Sequence, residues 1–164
     1  MSAPKQGISG DTSQPFEHWR AVLTEAVKEV FSMMVGAEVS IPEVDPSSKD
    51  ADVTGMVGLA GEMCGVLSVR CSRNAAMRIA SQMLGVPMAE AASHQSDAVG
   101  EICNMVAGNF KAKIDGLQDK CMLSVPTVIS GQSYEFHSLA VGDKIELPLV
   151  LQGEAVWFSL QVRV

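Results

Sequence analysis

The C-terminal stretch Asp143-Lys-Ile-Glu-Leu-Pro-Leu-Val-Leu-Gln-Gly-Glu-Ala-Val-Trp-Phe-Ser-Leu-Gln-Val-Arg-Val164 holds two runs of period two. In the second run Val156, Phe158, Leu160, Val162 and Val164 share one face. Ala155, Trp157, Ser159, Gln161 and Arg163 share the other. In the first run Ile145, Leu147, Leu149 and Leu151 repeat the pattern, and Gly153 turns the hairpin between the two. Successive strand side chains point to opposite faces, so both runs belong to a sheet with one apolar face. Gly142-Asp143 reads as the turn of a further hairpin just before them. A one-sided sheet needs a cover, and the preceding chain has to supply it.

The cover is helical. A helix is predicted over about 15–34, where Val22, Ala26, Val30 and Met33 recur at helical spacing and Gly36 suits the end. Val39 and Ile41 alternate with polar residues as a short strand does, and 45–52 is a charged loop. Segments 53–60 and 63–71 form a hairpin around Gly61-Glu62, and Gly55, Gly58 and Gly65 mark close packing against a helix. Ser72-Arg73-Asn74 opens a second helix with the stripe Ala76, Ile79, Ala80 and Met83, stopped by Gly85 and Pro87. A third helix runs over about 93–115, with Gly116 placed as its left-handed cap. The expected fold is α+β, an antiparallel β-sheet with amphipathic helices packed on one face. Residues 1–15 are expected to be a flexible polar tail and 16–164 a single domain.

Composition narrows the function. The 164 residues are 47% hydrophobic, 19% charged and 5% aromatic, with a net charge of −7. Nucleic-acid grooves need a cationic surface and stacking rings, and this chain is short of both. No run approaches the roughly 20 apolar residues that span a bilayer, and the N-terminus has no apolar leader, so a cytoplasmic protein is expected. Cys64, Cys71, Cys103 and Cys121 show no C-x-x-C spacing, and His18, His94 and His137 are far apart. No metal site is expected from them.

The third helix departs from the rules of a solvated helix. At about 100° per residue Val99, Ile102, Cys103, Val106, Phe110 and Leu117 gather on one face, which goes to the core. Asp97, Glu101, Asn104, Gly108 and Asp115 gather on the opposite face. Asn is a poor residue inside a helix, and Gly costs about 1 kcal/mol relative to Ala. Gly108 leaves a gap on the outward stripe, where a partner's backbone can approach beside Glu101 and Asn104. Local rules broken on an outward face are expected at functional sites, although outward polar residues are also ordinary solvation. Lys111, close to the same face, is a candidate for steering an acidic partner.

Glu101-Ile-Cys-Asn104-Met-Val-Ala-Gly108-Asn109 resembles the signature of the CheC/CheX/FliY phosphatases of bacterial chemotaxis. Their pattern is Asp or Ser, three residues, Glu, two residues, Asn, then about 22 residues and Pro. Asp97 stands at the first position, and Pro126 follows Asn104 after 21 intervening residues. The order of helix, hairpin, two helices and terminal strands is CheX-like over roughly 16–164, with one copy of the signature.

The resemblance implies a protein phosphatase that hydrolyses the aspartyl phosphate of a CheY-type receiver, ending a chemotaxis or other two-component signal. Glu101 would pair with the receiver's lysine and Asn104 would orient the attacking water. Asp97, Gly108 and Lys111 would contact the partner. The chain would need no cofactor of its own, since the Mg2+ belongs to the receiver. A homodimer formed partly by sheet joining is also implied. The long terminal strand would need such a partner if it lay at the sheet edge, and Trp157 on its outward face would sit at that interface or under a loop. The rival reading is a non-catalytic receiver-binding or scaffold module.

Overall fold

The computed structural model describes residues 13–44 and 51–164. The expected tail falls outside the described residues up to residue 12, as does most of the expected loop over 45–52. Residues 13–15 already belong to the first helix, α1 (Ser13–Val30). This helix buries Val22, Leu23, Ala26, Val27 and Val30. It then widens into one π-helical turn, Phe31–Val35, closed by the Gly36 N–H donating to the Phe31 carbonyl. The wider turn rotates the chain so that Phe31 and Val35 face the core. Met33, expected on the buried stripe, is instead 69% exposed.

The strands are β1 (Val39–Ser40), β2 (Val53–Gly61), β3 (Cys64–Cys71), β4 (Cys121–Leu123), β5 (Thr127–Ser130), β6 (Asp143–Leu151) and β7 (Glu154–Arg163). They form one sheet in the order β1-β6-β7-β3-β2-β4, with β5 also pairing β2, and every pair is antiparallel. Strand β7 therefore lies inside the sheet between β6 and β3, and it is not an edge in need of a partner. Its apolar face is buried as the period predicts, and Trp157 on the other face is buried too.

The layer over the apolar face comprises α1, α2 (Arg73–Leu84) and α4 (Gln95–Lys113), with a short α3 (Met88–Ala91) and a 3-10 turn (Ala92–His94) leading into α4. Ser72 caps α2 by accepting from the Ala75 N–H at 3.1 Å, and Gly85 ends it in the left-handed conformation. Phe31 from the π-turn meets Phe158 of β7 edge-to-face at 6.2 Å and joins the two layers. Gly55 on β2 supports the same contact further along, because a Cβ there would stand 3.2 Å from Val99 of α4. Gly58 and Gly65 face Ser124 and β7 rather than a helix.

Gly142-Asp143 is not a hairpin turn. β5 and β6 lie on opposite sides of the sheet, so residues 131–142 have to cross β2, β3 and β7 on the face away from the helices. Four strand spacings amount to about 19 Å, within reach of this length of chain. The segment lies down on the sheet as a strap. Tyr134 and Thr54 share a hydroxyl–hydroxyl hydrogen bond of 2.6 Å, and Thr54 is 0% exposed. Phe136 sits beside Ser68 and Arg70. A Cβ on Gly142 would fall 2.1 Å from the Val162 carbonyl oxygen, so close passage over β7 accounts for the glycine.

All four cysteines are free. Burial pushes the Cys71 and Cys103 thiols up to about 12, which makes them inert. Among the described residues no helix is long and apolar enough to cross a membrane.

Candidate functional site

Helix α4 presents two faces. Val99, Ile102, Cys103, Val106, Ala107 and Phe110 are buried between the sheet and the other two long helices. Asp97 and Glu101 are exposed, and Asn104 and Gly108 are partly exposed. Spacings of four, three and four residues put these positions in one row along the helix. Neither the Glu101 nor the Asn104 side chain forms a hydrogen bond or ion pair among the described residues. A Cβ on Gly108 would meet nothing within 4 Å, so the gap in the row is open to solvent.

One wall flanks the row. Pro126 and Val128, from the β4–β5 connection and β5, close in on α4 at Gly100. A Cβ on Gly100 would stand 3.0 Å from Val128 Cγ2 and 3.6 Å from Pro126 Cβ. The result is an open groove of about 440 Å³ lined by Ser96, Asp97, Gly100, Glu101, Pro126 and Val128. Pro126, distant in sequence, thus borders the same groove as Glu101.

The helix is pinned near its C-terminal end. Lys113 Nζ pairs with Glu29 Oε1 at 2.9 Å and with Glu25 Oε1 at 3.4 Å, both on α1. Asn109 donates from Nδ2 to Glu29 Oε2 at 3.2 Å. The hydrogen bonds from Lys113 and Asn109 hold the Glu29 carboxyl below its usual range, and Glu29 in turn raises the Lys113 ammonium. Lys111 donates to the Gln118 carbonyl at 2.9 Å and the Cys121 carbonyl at 2.6 Å. Its ammonium therefore ties the end of α4 to the start of β4. Gly116 likewise serves the turn beyond the helix, with φ +76°, while the helix itself ends at Ile114 in an extended conformation.

The pinning side chains and the strap were not expected from sequence. Glu29 and Lys113 are 84 residues apart, and no local pattern links them. Among the described residues no three His, Cys, Asp or Glu come together to hold a metal ion. What the ridge offers is a carboxylate for an ammonium and, about one helical turn on, a carboxamide that can both donate to and accept from a water.

The sequence model described as "Chemotaxis phosphatase CheX" matches residues 53–149. A curated relative, the CheY-P phosphatase CheX of Thermotoga maritima, is 28% identical over 100 residues, which is 60% of this chain and 63% of that protein. The match thus spans under two thirds of that relative's length. Chemotaxis protein CheX from Vibrio vulnificus superposes with a TM-score of 0.73 at 24% identity, covering 88% of this chain and 96% of that one. A chain of the CheX–CheY–BeF3–Mg2+ complex from Borrelia burgdorferi superposes with a TM-score of 0.68 at 20% identity, covering 89% and 98%. At these identities the two structures speak for the shared fold.

Proposed function

The chain belongs to the CheX family of chemotaxis phosphatases, and we propose that it hydrolyses the aspartyl phosphate of a CheY-type receiver. The observation that carries this reading is the pair Glu101 and Asn104, their side chains unpartnered among the described residues, side by side on the outward face of α4 with Gly108 open beyond them. Water attacks phosphorus, the bond from phosphorus to the receiver's aspartyl oxygen breaks, and inorganic phosphate leaves. An acyl phosphate is already reactive, so the enzyme's contribution is to hold water in line. Asn104 does this through its amide, which cannot act as a general base. Glu101 sets the register by pairing with a receiver ammonium. Asp97 and Gly108 belong to the docking face, and the magnesium is the receiver's own. The same reading puts the chain in the cytoplasm, where receivers work.

The test is loss of phosphate from receivers labelled with a small phosphodonor. Asn104→Ala is expected to bind a receiver yet lose on the order of 100-fold in rate, the scale of a misplaced reactant. Glu101→Ala is expected to weaken binding. Equal rates for wild type and Asn104→Ala would leave a receiver-binding module without catalysis.

A homodimer is part of the same proposal. It cannot be joined through β7, which is interior. The outer edge of β6 is covered by β1 only at Val150 and Leu151 among the described residues. Arg20 donates to the Glu146 carbonyl at 2.9 Å, and Pro148 has no N–H, so that edge is partly blocked. Light scattering after gel filtration decides it, and a monomer at micromolar concentration overturns it.

A further inference from the structure

The start of the strap arches over a cavity of about 390 Å³ on the sheet face away from the helices. Its lining includes Asp52 and Arg70 from the sheet side and Gln132, Ser133, Tyr134 and Phe136 from the strap. Both feet of the arch are fixed. The Gly131 N–H donates to the Asp52 carbonyl at 2.9 Å, and Tyr134 meets Thr54 at 2.6 Å. Between them Ser133 is held at φ +56°, a left-handed conformation that residues other than glycine seldom adopt and that gathers at ligand clamps. The volume falls in the range of preformed small-molecule sites, about 300–1,000 Å³.

Two opposite charges line this cavity without meeting. Arg70 stands on β3 between Thr54 of β2 and Trp157 of β7. It is half-buried, and its guanidinium has no hydrogen bond or ion pair among the described residues. Asp52 Oδ2 accepts the Arg73 backbone N–H at 2.9 Å, which leaves Oδ1 without a partner among the described residues. A smaller cavity also reaches Arg70, and there Lys144 pairs with Glu146 at 2.7 Å, so its charges are already matched. In a space partly shut off from water opposite charges attract strongly, and a cation and an anion that share it unpaired are each left for a ligand to match. A ligand with one charge satisfies one wall and is repelled by the other. A ligand with both charges satisfies both walls.

We propose that the cavity binds a small zwitterion of the α-amino-acid class. The planar fork of Arg70 takes the carboxylate, Asp52 Oδ1 takes the ammonium, and the Tyr134 and Phe136 rings border the remainder. The site lies on the face of the sheet opposite α4, so the proposal goes beyond the receiver-phosphatase reading and does not depend on it.

Titration calorimetry of the full chain against each of the standard L-α-amino acids tests it. At least one is expected to bind with a Kd of about 1 mM or tighter. Its N-acetyl form lacks the ammonium and its amide lacks the carboxylate, and each is expected to bind about tenfold more weakly. Acetate and inorganic phosphate, the single-charge probes, are expected not to bind at the same concentrations. Arg70→Met and Asp52→Asn are each expected to raise Kd by about tenfold or more. The asparagine still accepts the Arg73 N–H, and the methionine keeps most of the arginine stem, so both variants should fold, which urea unfolding checks. Arg70→Lys keeps the charge without the fork and should fall between wild type and Arg70→Met. Absence of binding by every amino acid overturns the proposal. Wild-type affinity in Arg70→Met or in Asp52→Asn also overturns it. Equal affinity for the N-acetyl form, acetate or phosphate overturns it too, because the cavity would then be a plain anion site. Receiver dephosphorylation is measured separately, and its failure leaves this proposal standing.

Discussion

Gly100 and Gly108 lie about two turns apart on α4 in opposite surroundings. A Cβ on Gly100 would press against Val128 at 3.0 Å, and one on Gly108 would meet nothing within 4 Å. The first glycine is required by packing, since β5 and Pro126 can approach the site only where the helix has no side chain. The second is not required by the fold at all.

Alanine at the two positions should therefore act with opposite sign. Gly108→Ala is expected to stabilise the chain by about 0.5–1 kcal/mol, the helix preference of alanine over glycine, with no steric penalty. Gly100→Ala receives the same benefit but overpacks the groove wall, which costs about 1–3 kcal/mol. A net loss of about 1 kcal/mol is expected. Urea unfolding midpoints measure both. On the proposed function, Gly108→Ala should also weaken receiver binding, so a variant both stabler and unimpaired would remove the partner-approach role of the gap.

The clamp between α1 and α4 predicts a pH dependence. Lys113 and Asn109 hold the Glu29 carboxyl below its ordinary value of 4.5. A carboxyl whose folded value is depressed contributes stability above the unfolded value and loses it as pH falls through the folded one. Glu29 raises the Lys113 ammonium above 10.5, so that side of the pair is fully present across neutral pH and is lost only as pH rises beyond it. Lys113→Met should be less stable than wild type at pH 7, and the gap should narrow as pH drops below 4.5. Both partners are exposed to solvent screening, so the gap should also shrink in high salt. Unfolding midpoints that stay equally far apart from pH 7 to pH 3 would assign the difference to packing of the lysine stem.

These two relationships mark the boundary of what local pattern carries. The row Asp97, Glu101, Asn104, Gly108 was legible because a helix fixes which residues share a face once its apolar stripe is recognised. The apolar face of β7 was legible for the corresponding reason at period two. The interior place of β7 was not, because strand order is decided by pairings between distant segments. Gly142-Asp143 misled because a turn dipeptide and a glycine required where a carbonyl excludes any side chain look alike in sequence. Met33 misled because a single π-turn shifts the helical phase, and nothing in the residues 31–35 announces it. Pro126 entered only through the family signature. Its contact with Gly100 joins segments whose spacing has no periodic meaning. Lys111 looked free because its acceptors are backbone carbonyls, which any sequence has.

The strap gives the last prediction. Thr54 is buried on a central strand, and its hydroxyl meets Tyr134 at 2.6 Å. Removing one partner of a buried hydrogen bond leaves the other unsatisfied, at about 1–3 kcal/mol. Tyr134→Phe should therefore lose about 1–2 kcal/mol in urea unfolding. The double variant Thr54→Val with Tyr134→Phe removes both polar groups and should recover part of that loss, because no hydroxyl is left unpaired. The strap lies on the sheet face away from α4, so the rate of receiver dephosphorylation per folded molecule should be unchanged in both variants. A double variant less stable than the sum of the two singles would mean that the strap is held by the packing of Tyr134 and Phe136 and not by this bond. An altered turnover would mean that the two faces of the sheet are coupled.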